Sequence, residues 1–231
     1  MSRAAAIARA QAYFDDGEFL ADLQRRVAIP STSQEPQRAE ALRRYLADEM
    51  VPSLTPLGFS FHILDNPVSG PPFLVAERIE PQAPLTVLIY GHGDTVRGLD
   101  EEWRTGLSPW VVSVEGTRIY GRGTADNKGQ HGINIAALAA VLAERARAGS
   151  PLGFSVKVLI EMGEEVGSAG LRELCTAHKQ RLLRADLLIA SDGPRIAPDR
   201  PTLFLGARGG AMIDLVVDLR EGAHHSGNWG G

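Results

Sequence analysis

The sequence predicts an α/β fold in which a mostly parallel sheet carries helices on both faces. Two observations predict this class. Short apolar runs that read as buried strands alternate along the chain with runs of helical periodicity, as in parallel sheets with crossover helices. Several of the apolar runs end in His, Asp or Glu, and ligands of open α/β sheets gather outside the carboxyl ends of the strands. We therefore expect a functional site at one edge of the sheet.

The first part of the chain reads as helices followed by strands. Apolar residues recur at helical spacing at the start, with Asp16–Gly17 as a break between two helices. Two later runs flank a polar turn and have the composition of paired strands. The elements expected here are helices over 2–28 and about 36–50, and strands over 58–64, 72–79 and 85–90.

The second part of the chain alternates strands and helices more regularly. A hairpin with its turn at Glu115–Gly116 precedes a glycine-rich loop and then a long helix with an apolar stripe. The elements expected here are the hairpin over 111–120, helices over about 129–147 and 168–182, and strands over 155–162, 185–190, 202–207 and 212–219.

The composition excludes several classes of protein. Hydrophobic residues make up 44% of the 231 residues, which is enough for a sizeable core and argues against disorder. The net charge of −4 argues against a nucleic-acid partner. No apolar run reaches the length of a membrane span, so no membrane partner is expected. With a single cysteine, Cys175, and no apolar run of the signal-peptide type at the start, we expect a cytoplasmic location.

Acidic residues and one histidine collect where predicted elements end. Three of the four places directly follow predicted buried strands. Clustered carboxylates repel one another and are costly to bury unless a cation neutralises them. Imidazole together with carboxylates suits Zn²⁺ or a similar divalent ion, and one aspartate can bridge two such ions. The residues concerned are His92, Asp94, Asp126, Glu164, Glu165 and Asp192.

Each of these residues alone has an ordinary explanation. Aspartates such as Asp126 and Asp192 are common in turns, and an acidic pair such as Glu164–Glu165 can cap a helix. The set as a whole favours the metal site. On an extended backbone the two glutamates would point in different directions, so that one could bind metal while the other stays free as a base. His131 is expected to be structural. No G-x-G-x-x-G motif opens a helix after the first strand, which disfavours a dinucleotide-binding enzyme.

Four motifs in a fixed order resemble a known family. They are GHGDTV, GRGTADNKG, EMGEEVGS and SDG, and together they span most of the chain from residue 85 onward. This series resembles the dinuclear-zinc peptidase family of carnosinase-type dipeptidases, glutamate carboxypeptidases, aminoacylases and succinyl-diaminopimelate desuccinylases. The closing AHHSGNWGG run is most similar to the carnosinase-type branch.

The resemblance implies a role for each metal-type residue. His92 and Asp192 would bind one zinc ion, Asp126 would bridge, and Glu165 would bind the second ion. The implied cofactors are two Zn²⁺, or other divalent ions such as Co²⁺ or Mn²⁺, per full-length subunit. The bond between Asp126 and Asn127 is often cis in this family.

The resemblance also implies three residues with a part in the reaction. Glu164 would be the general base, and Asp94 would orient His92 through its other ring nitrogen. His225 would lie on the lid domain and reach the active site of the partner subunit, where it would steady the oxyanion. An ordinary surface histidine in a polar loop is the other interpretation of His225, and the sequence leaves both open.

The implied function is metal-dependent hydrolysis of an amide bond in dipeptides or at the C-terminal residue of short peptides, through a metal-activated water. An N-acyl-amino-acid deacylase or desuccinylase of the same chemistry is an alternative, and a catalytically incompetent metal-binding fragment is another. We expect a catalytic domain over 1–207 and the start of a smaller α+β lid, through which the protein forms a homodimer, over 208–231. The family's last ligand to the second zinc is a histidine later in a longer chain, so this chain is expected to hold that ion poorly and to be inactive.

Overall fold

The computed structural model describes residues 2–197, 199–206, 209, 211 and 213–217. The chain divides into two compact units, Met1–Asp192 and Gly193–Gly231. All regular helices and strands of the described residues lie in the first unit. The domain boundary predicted between residues 207 and 208 lies within the second unit and stays a prediction.

Six α-helices occur among the described residues. The predicted break between the first two is confirmed, because Gly17 has a φ of 82° and so lies in the left-handed region that favours glycine. Ser2 caps the first helix by accepting a hydrogen bond from the backbone N–H of Ala5. The helices are α1 (Arg3–Asp15), α2 (Glu18–Val27), α3 (Ala39–Arg44), α4 (Val51–Leu54), α5 (Lys128–Arg147) and α6 (Leu171–His178).

The helical segment predicted over 36–50 is longer than expected. It begins with a 3₁₀ turn at Pro36–Arg38, and a π-helical stretch, Tyr45–Met50, joins α3 to α4. A last 3₁₀ turn, Thr55–Leu57, ends the segment. Two prolines follow residue 50, but each stands in the first turn of its own short segment, where a missing backbone N–H costs little.

The central sheet has five strands, which are β1 (Ser60–Leu64), β2 (Phe73–Arg78), β3 (Thr86–His92), β6 (Ser155–Glu161) and β7 (Leu187–Ala190). Their order across the sheet is β1-β2-β6-β3-β7. Strand β3 is parallel to both β6 and β7, whereas β2 is antiparallel to β1 and β6. Among these five strands only β2 therefore runs against the others, and the predicted mostly parallel sheet is confirmed. A separate hairpin is formed by β4 (Ser113–Glu115) and β5 (Arg118–Tyr120).

Helices cover both faces of the sheet, as predicted. Alternate residues of a strand point to opposite faces, and the two apolar clusters follow this rule. On one face Val158 of β6 belongs to the same cluster as Leu138 of α5 and Leu46 of the π-helical stretch. On the other face Leu159 of β6 packs with Leu174 of α6.

The register of the parallel strands brings their carboxyl ends together. His92 at the end of β3 pairs with Glu161 at the end of β6, and Tyr90 of β3 pairs with Ala190 at the end of β7. The residues that follow these three strands therefore leave the sheet at one edge. This edge is where the sequence predicts the functional site.

Two sequence predictions in the second half of the chain are wrong in part. The helix expected over 168–182 begins only after Gly170, because Gly167, Ser168 and Gly170 have φ values of 90°, 53° and 86°, outside the right-handed helical region. Residues 202–206 and 213–217 were expected in strands but form none. Within the described part of the chain they have no paired neighbour, and without a ladder of hydrogen bonds a strand is not held.

None of the described helices combines the length and the apolar character that crossing a membrane requires.

Candidate metal centre

His92 is fixed at the tip of β3 with one ring nitrogen held from behind. Its side chain is fully buried. The ring Nδ1 lies 3.1 Å from the backbone carbonyl oxygen of Asp94 and 3.3 Å from Oδ1 of the same residue. Both partners accept, so Nδ1 carries the hydrogen and Nε2 faces the edge of the sheet. This is the tautomer in which Nε2 can bind a metal.

Two aspartates from distant parts of the chain meet Nε2 of His92. Asp126, just before α5, places Oδ1 2.9 Å from this nitrogen, and Asp192, just after β7, places Oδ1 3.6 Å from it. The ligand atoms of the three residues all lie within 4.8 Å of one another. Three chain segments therefore converge on one point.

The three residues fit a divalent cation. Ligand atoms about 2.0–2.2 Å from a shared Zn²⁺ lie within roughly 4 Å of one another, and the spacing of these three is close to that. One imidazole nitrogen with carboxylate oxygens is a donor set that such ions bind. Burial lowers the pKa of His92, but hydrogen bonds and charges from Asp192 and Asp94 outweigh burial and raise this pKa to about 11. The surroundings of Nε2 thus favour a positive charge.

Asp94 links several chain segments at the candidate metal centre although it is not one of the three converging residues. Its side chain is fully buried. Oδ2 accepts a hydrogen bond from Ser33 Oγ at 2.6 Å and from the backbone N–H of Glu165 at 3.1 Å. Oδ1 accepts from the backbone N–H of Glu164 at 3.2 Å. This one carboxylate joins the end of β3, an N-terminal loop and the loop after β6.

The backbone of the two adjacent glutamates is not extended, in contrast to the conformation considered from the sequence. Glu164–Val166 is a 3₁₀ turn, in which successive side chains are separated by about 120° because there are three residues per turn. Oε2 of Glu164 lies 3.9 Å from Nε2 of His92, and its side chain is 37% exposed. Among the described residues, the group of ligand atoms within 4.8 Å contains neither Glu164 nor Glu165.

The pKa values of both glutamates are raised. Burial is the largest cause for Glu164, and the negative charges of Asp192, Asp94 and Asp126 add to it, while His92 opposes it. For Glu165 burial again leads, followed by the charge of Asp126. A carboxyl group that binds protons more readily than usual, is partly exposed to solvent and lies close to His92 suits proton transfer.

Asn127 makes contacts in this site that the sequence analysis, which names it only for its bond to Asp126, did not predict. The bond between Asp126 and Asn127 is cis, as the resemblance implies. The Asn127 side chain is fully buried, and its Nδ2 donates to Asp192 Oδ1 at 2.9 Å and to the carbonyl oxygen of Ser191 at 2.6 Å. Its place directly after Asp126 was a usable signal. Ser33, also missed, has no such local signal because only the fold brings it to Asp94.

His225 lies outside the described residues. Its predicted role stays a prediction.

Comparisons with known proteins identify one family of peptidases. A family model described as peptidase family M20/M25/M40 matches residues 88–214. The chain is 33% identical over 234 residues to the Beta-Ala-His dipeptidase of Homo sapiens, covering 93% of this chain and 43% of that protein. It is 31% identical over 231 residues to the Cys-Gly metallodipeptidase of Schizosaccharomyces pombe, covering 93% of this chain and 46% of that protein.

A solved structure shares the fold. The crystal structure of human carnosine dipeptidase 1 superposes with a TM-score of 0.71 at 30% sequence identity, covering 83% of this chain and 42% of that chain. The chain spans less than half the length of each of these relatives.

Proposed function

Because the chain belongs to the peptidase family M20/M25/M40, we propose that it forms the catalytic part of a metal-dependent dipeptidase. The observation that carries this proposal is the convergence of His92, Asp126 and Asp192 on one point beside Glu164. The names of the two relatives, a Beta-Ala-His dipeptidase and a Cys-Gly metallodipeptidase, support a dipeptide as the substrate.

His92 and Asp192 would hold one divalent ion, and Asp126 would hold the same ion and share a second with Glu165. Zn²⁺ is the proposed ion, with Co²⁺ or Mn²⁺ as substitutes, because the donors are an imidazole and carboxylates. A bound ion of this kind lowers the pKa of water and polarises the carbonyl oxygen of an amide.

Glu164 is the proposed general base. Its carboxylate is close to His92 but is not one of the three converging ligands, so it stays free to exchange protons. It would accept a proton from the attacking water and deliver that proton to the leaving amine. The pKa raised by burial and by neighbouring carboxylates moves the group towards neutral pH, where proton exchange is most effective.

Asp94 and the end of β3 would keep His92 ready to bind the ion. The Asp94 carboxylate accepts from Nδ1 of His92 and from the backbone N–H groups of both glutamates. One buried carboxylate thereby sets the distance between the histidine ligand and the base. Such fixed geometry lowers the cost of reaching the transition state.

Four further proposals rest on the resemblance and the composition. They concern the partner subunit, the role of His225, the domain bounds and the cellular location. We propose a homodimer formed through the lid domain, with His225 reaching the active site of the partner subunit. We propose a cytoplasmic location on the strength of the single cysteine.

The decisive experiment separates metal binding from hydrolysis. Zn²⁺ binding is measured by competition with a chromogenic chelator, and hydrolysis of β-Ala-His, Cys-Gly, N-acetyl and N-succinyl amino acids is measured in the protein that carries this domain. We expect Asp192→Asn to lose Zn²⁺ binding, and Glu164→Gln to keep it while dipeptide hydrolysis falls by at least about a hundredfold. Glu173→Gln, an exposed glutamate of α6, is the matched control. Preference for the acylated amino acids, or undiminished hydrolysis by Glu164→Gln, contradicts the proposal.

A further inference from the structure

A buried network of three side chains approaches the candidate metal centre from inside the protein. It consists of Tyr45, His131 and Asn127, which are 0%, 1% and 0% exposed. We propose that this three-residue network positions His92 and Asp192 and thereby sets the affinity of the centre for its metal. The inference rests on the proposed function in one respect, since it takes the centre to be a metal site.

The amide of Asn127 connects the two ligands directly. Its Nδ2 donates to Asp192 Oδ1, and its Oδ1 accepts from the backbone N–H of His92 at 3.3 Å. The neighbours of Nδ2 are all acceptors, namely Asp192, the carbonyl of Ser191 and the side-chain oxygen of Gln130. These partners fix which end of the amide is nitrogen and which is oxygen.

The orientation of Asn127 in turn fixes the tautomer of His131. Nδ1 of His131 lies 3.2 Å from Oδ1 of Asn127, and because this oxygen can only accept, Nδ1 must carry the hydrogen. In the neutral imidazole the other nitrogen, Nε2, is then an acceptor. The hydroxyl of Tyr45 lies 2.7 Å from Nε2 and donates to it.

Tyr45 is itself held from the opposite side. The ammonium group of Lys128 lies 4.8 Å from the centre of the Tyr45 ring, in the position of a cation–π contact. Lys128 also donates to the backbone carbonyls of Arg26 at 2.9 Å and Ile29 at 2.7 Å. The ring of Tyr45 therefore has little freedom to move away from His131.

Two glycines let the network come close to β3. A Cβ at Gly91 would lie 2.8 Å from Cβ of His131 and 2.9 Å from Oδ1 of Asn127. A Cβ at Gly93 would lie 2.4 Å from two ring atoms of Tyr45. Both neighbours of His92 are therefore glycines at positions where a side chain would overlap with a residue of the network.

All the donors of the network point towards the metal centre. The hydroxyl of Tyr45 donates to His131, His131 donates to Asn127, and Asn127 donates to Asp192. In a dry interior such consecutive hydrogen bonds strengthen one another. Partners behind metal ligands commonly change metal affinity by 10–100-fold when they are removed. We therefore assign the three residues as positioning residues that do not touch the metal or the substrate.

The test compares two amides at position 131 that differ only in reach. In His131→Asn the amide nitrogen takes the place of Nδ1 and can still donate to Asn127, whereas in His131→Gln it reaches the place of Nε2 and cannot. Tyr45→Phe removes only the hydroxyl. Tyr13→Phe is the matched control, because it also removes a tyrosine hydroxyl that donates a hydrogen bond, in this case to Asp22 of α2 at 2.5 Å. Each variant is titrated with Zn²⁺ against a chromogenic chelator, and Co²⁺ absorption spectra report the ligand geometry.

We expect His131→Gln to weaken Zn²⁺ binding by about tenfold or more and to change the Co²⁺ spectrum. His131→Asn should keep most of the wild-type affinity for Zn²⁺, and Tyr45→Phe should bind Zn²⁺ several-fold more weakly. Tyr13→Phe should bind Zn²⁺ as the wild type does. If the wild type binds Zn²⁺ and both His131→Gln and Tyr45→Phe bind it equally well, the positioning role is wrong while the metal site stands. If the wild type itself binds no divalent ion, the proposed function fails first and the inference falls with it.

Discussion

Oδ1 of Asp94 lies 3.3 Å from Nδ1 of His92, and neither side chain is exposed to solvent. The pair is separated by a single glycine, so the end of β3 is followed at once by the residue that hydrogen-bonds to the ring of His92 at the candidate metal centre. A buried carboxylate that is hydrogen-bonded on every side is stable only while all its donors remain in place.

Asp94→Asn should destabilise the protein and weaken metal binding together. The carboxylate accepts hydrogen bonds from Ser33, His92, Glu164 and Glu165. The NH₂ group of an asparagine would face one of these donors and would have no acceptor there. A buried donor without a partner costs about 1–3 kcal/mol. Urea unfolding and Zn²⁺ titration measure the two effects. Ser33→Ala, which removes one donor and leaves the carboxylate, should cost about 1 kcal/mol; equal stability of Asp94→Asn and wild type would contradict the role of Asp94.

Stability of the metal-free protein should depend on the charge of His92. Its pKa is raised to about 11, above the ordinary value of 6.5, so folding favours the protonated ring. This contribution is fully present below pH 6.5 and is lost as the pH rises towards 11. We expect the difference in unfolding free energy between wild type and His92→Asn, both in EDTA, to shrink over this range. Subtracting the two unfolding free energies removes the contributions of groups whose pKa shifts in the opposite direction. Lys128 is such a group, because burial lowers its pKa to about 7.

Stabilisation by zinc should have the opposite pH dependence and increase with pH. Zn²⁺ binds the neutral imidazole and must displace the proton, so the rise in Tm on adding Zn²⁺ should grow as the pH increases from about 6 to 8. Thermal unfolding of matched samples with EDTA and with Zn²⁺ measures it. A zinc-dependent shift that is the same at both pH values would show that His92 is not among the ligands.

Gly93→Ala should be strongly destabilising. The added Cβ would meet the ring of Tyr45 at 2.4 Å and the sulfur of Met162 at 2.8 Å, and both neighbours are fully buried. Overpacking of this kind typically costs about 1–3 kcal/mol, and the rigid ring places this case at the upper end. Gly206→Ala, where nothing lies within 4 Å of the added carbon, is the control and should leave the urea midpoint unchanged.

Lys128→Met should lower stability without removing a metal ligand. The ammonium group donates to the carbonyls of Arg26 and Ile29 at the end of α2, where a positive charge also complements the helix dipole. Methionine fills similar space but leaves both carbonyls without this donor, at a cost of about 2–3 kcal/mol. Urea unfolding of Lys128→Met is compared with that of Lys179→Met at an exposed position. A loss no larger than that of the control would contradict this prediction.

The local pattern of the sequence was enough to predict the parallel strands and the edge at which their carboxyl ends meet. Apolar runs that end in acidic residues predict β3, β6 and β7, and parallel pairing brings those ends together without further information. The approach of Asp192 to His92 follows from that edge, because Asp192 comes just after β7. Asp126 lies in the loop before α5, so its approach to His92 depends on how that loop packs. The roles of these residues as metal ligands stay a prediction.

The parts that sequence reasoning missed depend on tertiary packing. The π-helical stretch that carries Tyr45, and the distance from Tyr45 to His131, have no signature in either segment. Ser33 reaches Asp94 only because the loop after α2 folds over the end of β3. The strands expected after residue 201 were inferred from apolar runs, but Leu203 and Leu205 are 89% and 99% exposed, so burial did not select that conformation.

The pairing register of β3 with β6 makes the site sensitive to insertions and deletions within β3. Alternate residues of a strand face opposite ways, and His92 stands level with Glu161 at the common end. Deleting or inserting one residue within Thr86–His92 would turn the histidine to the other face of the sheet, away from both aspartates. The same change in the turn between β4 and β5 would leave that alignment untouched. Natural variation in length is therefore expected in the hairpin and excluded from the central strand.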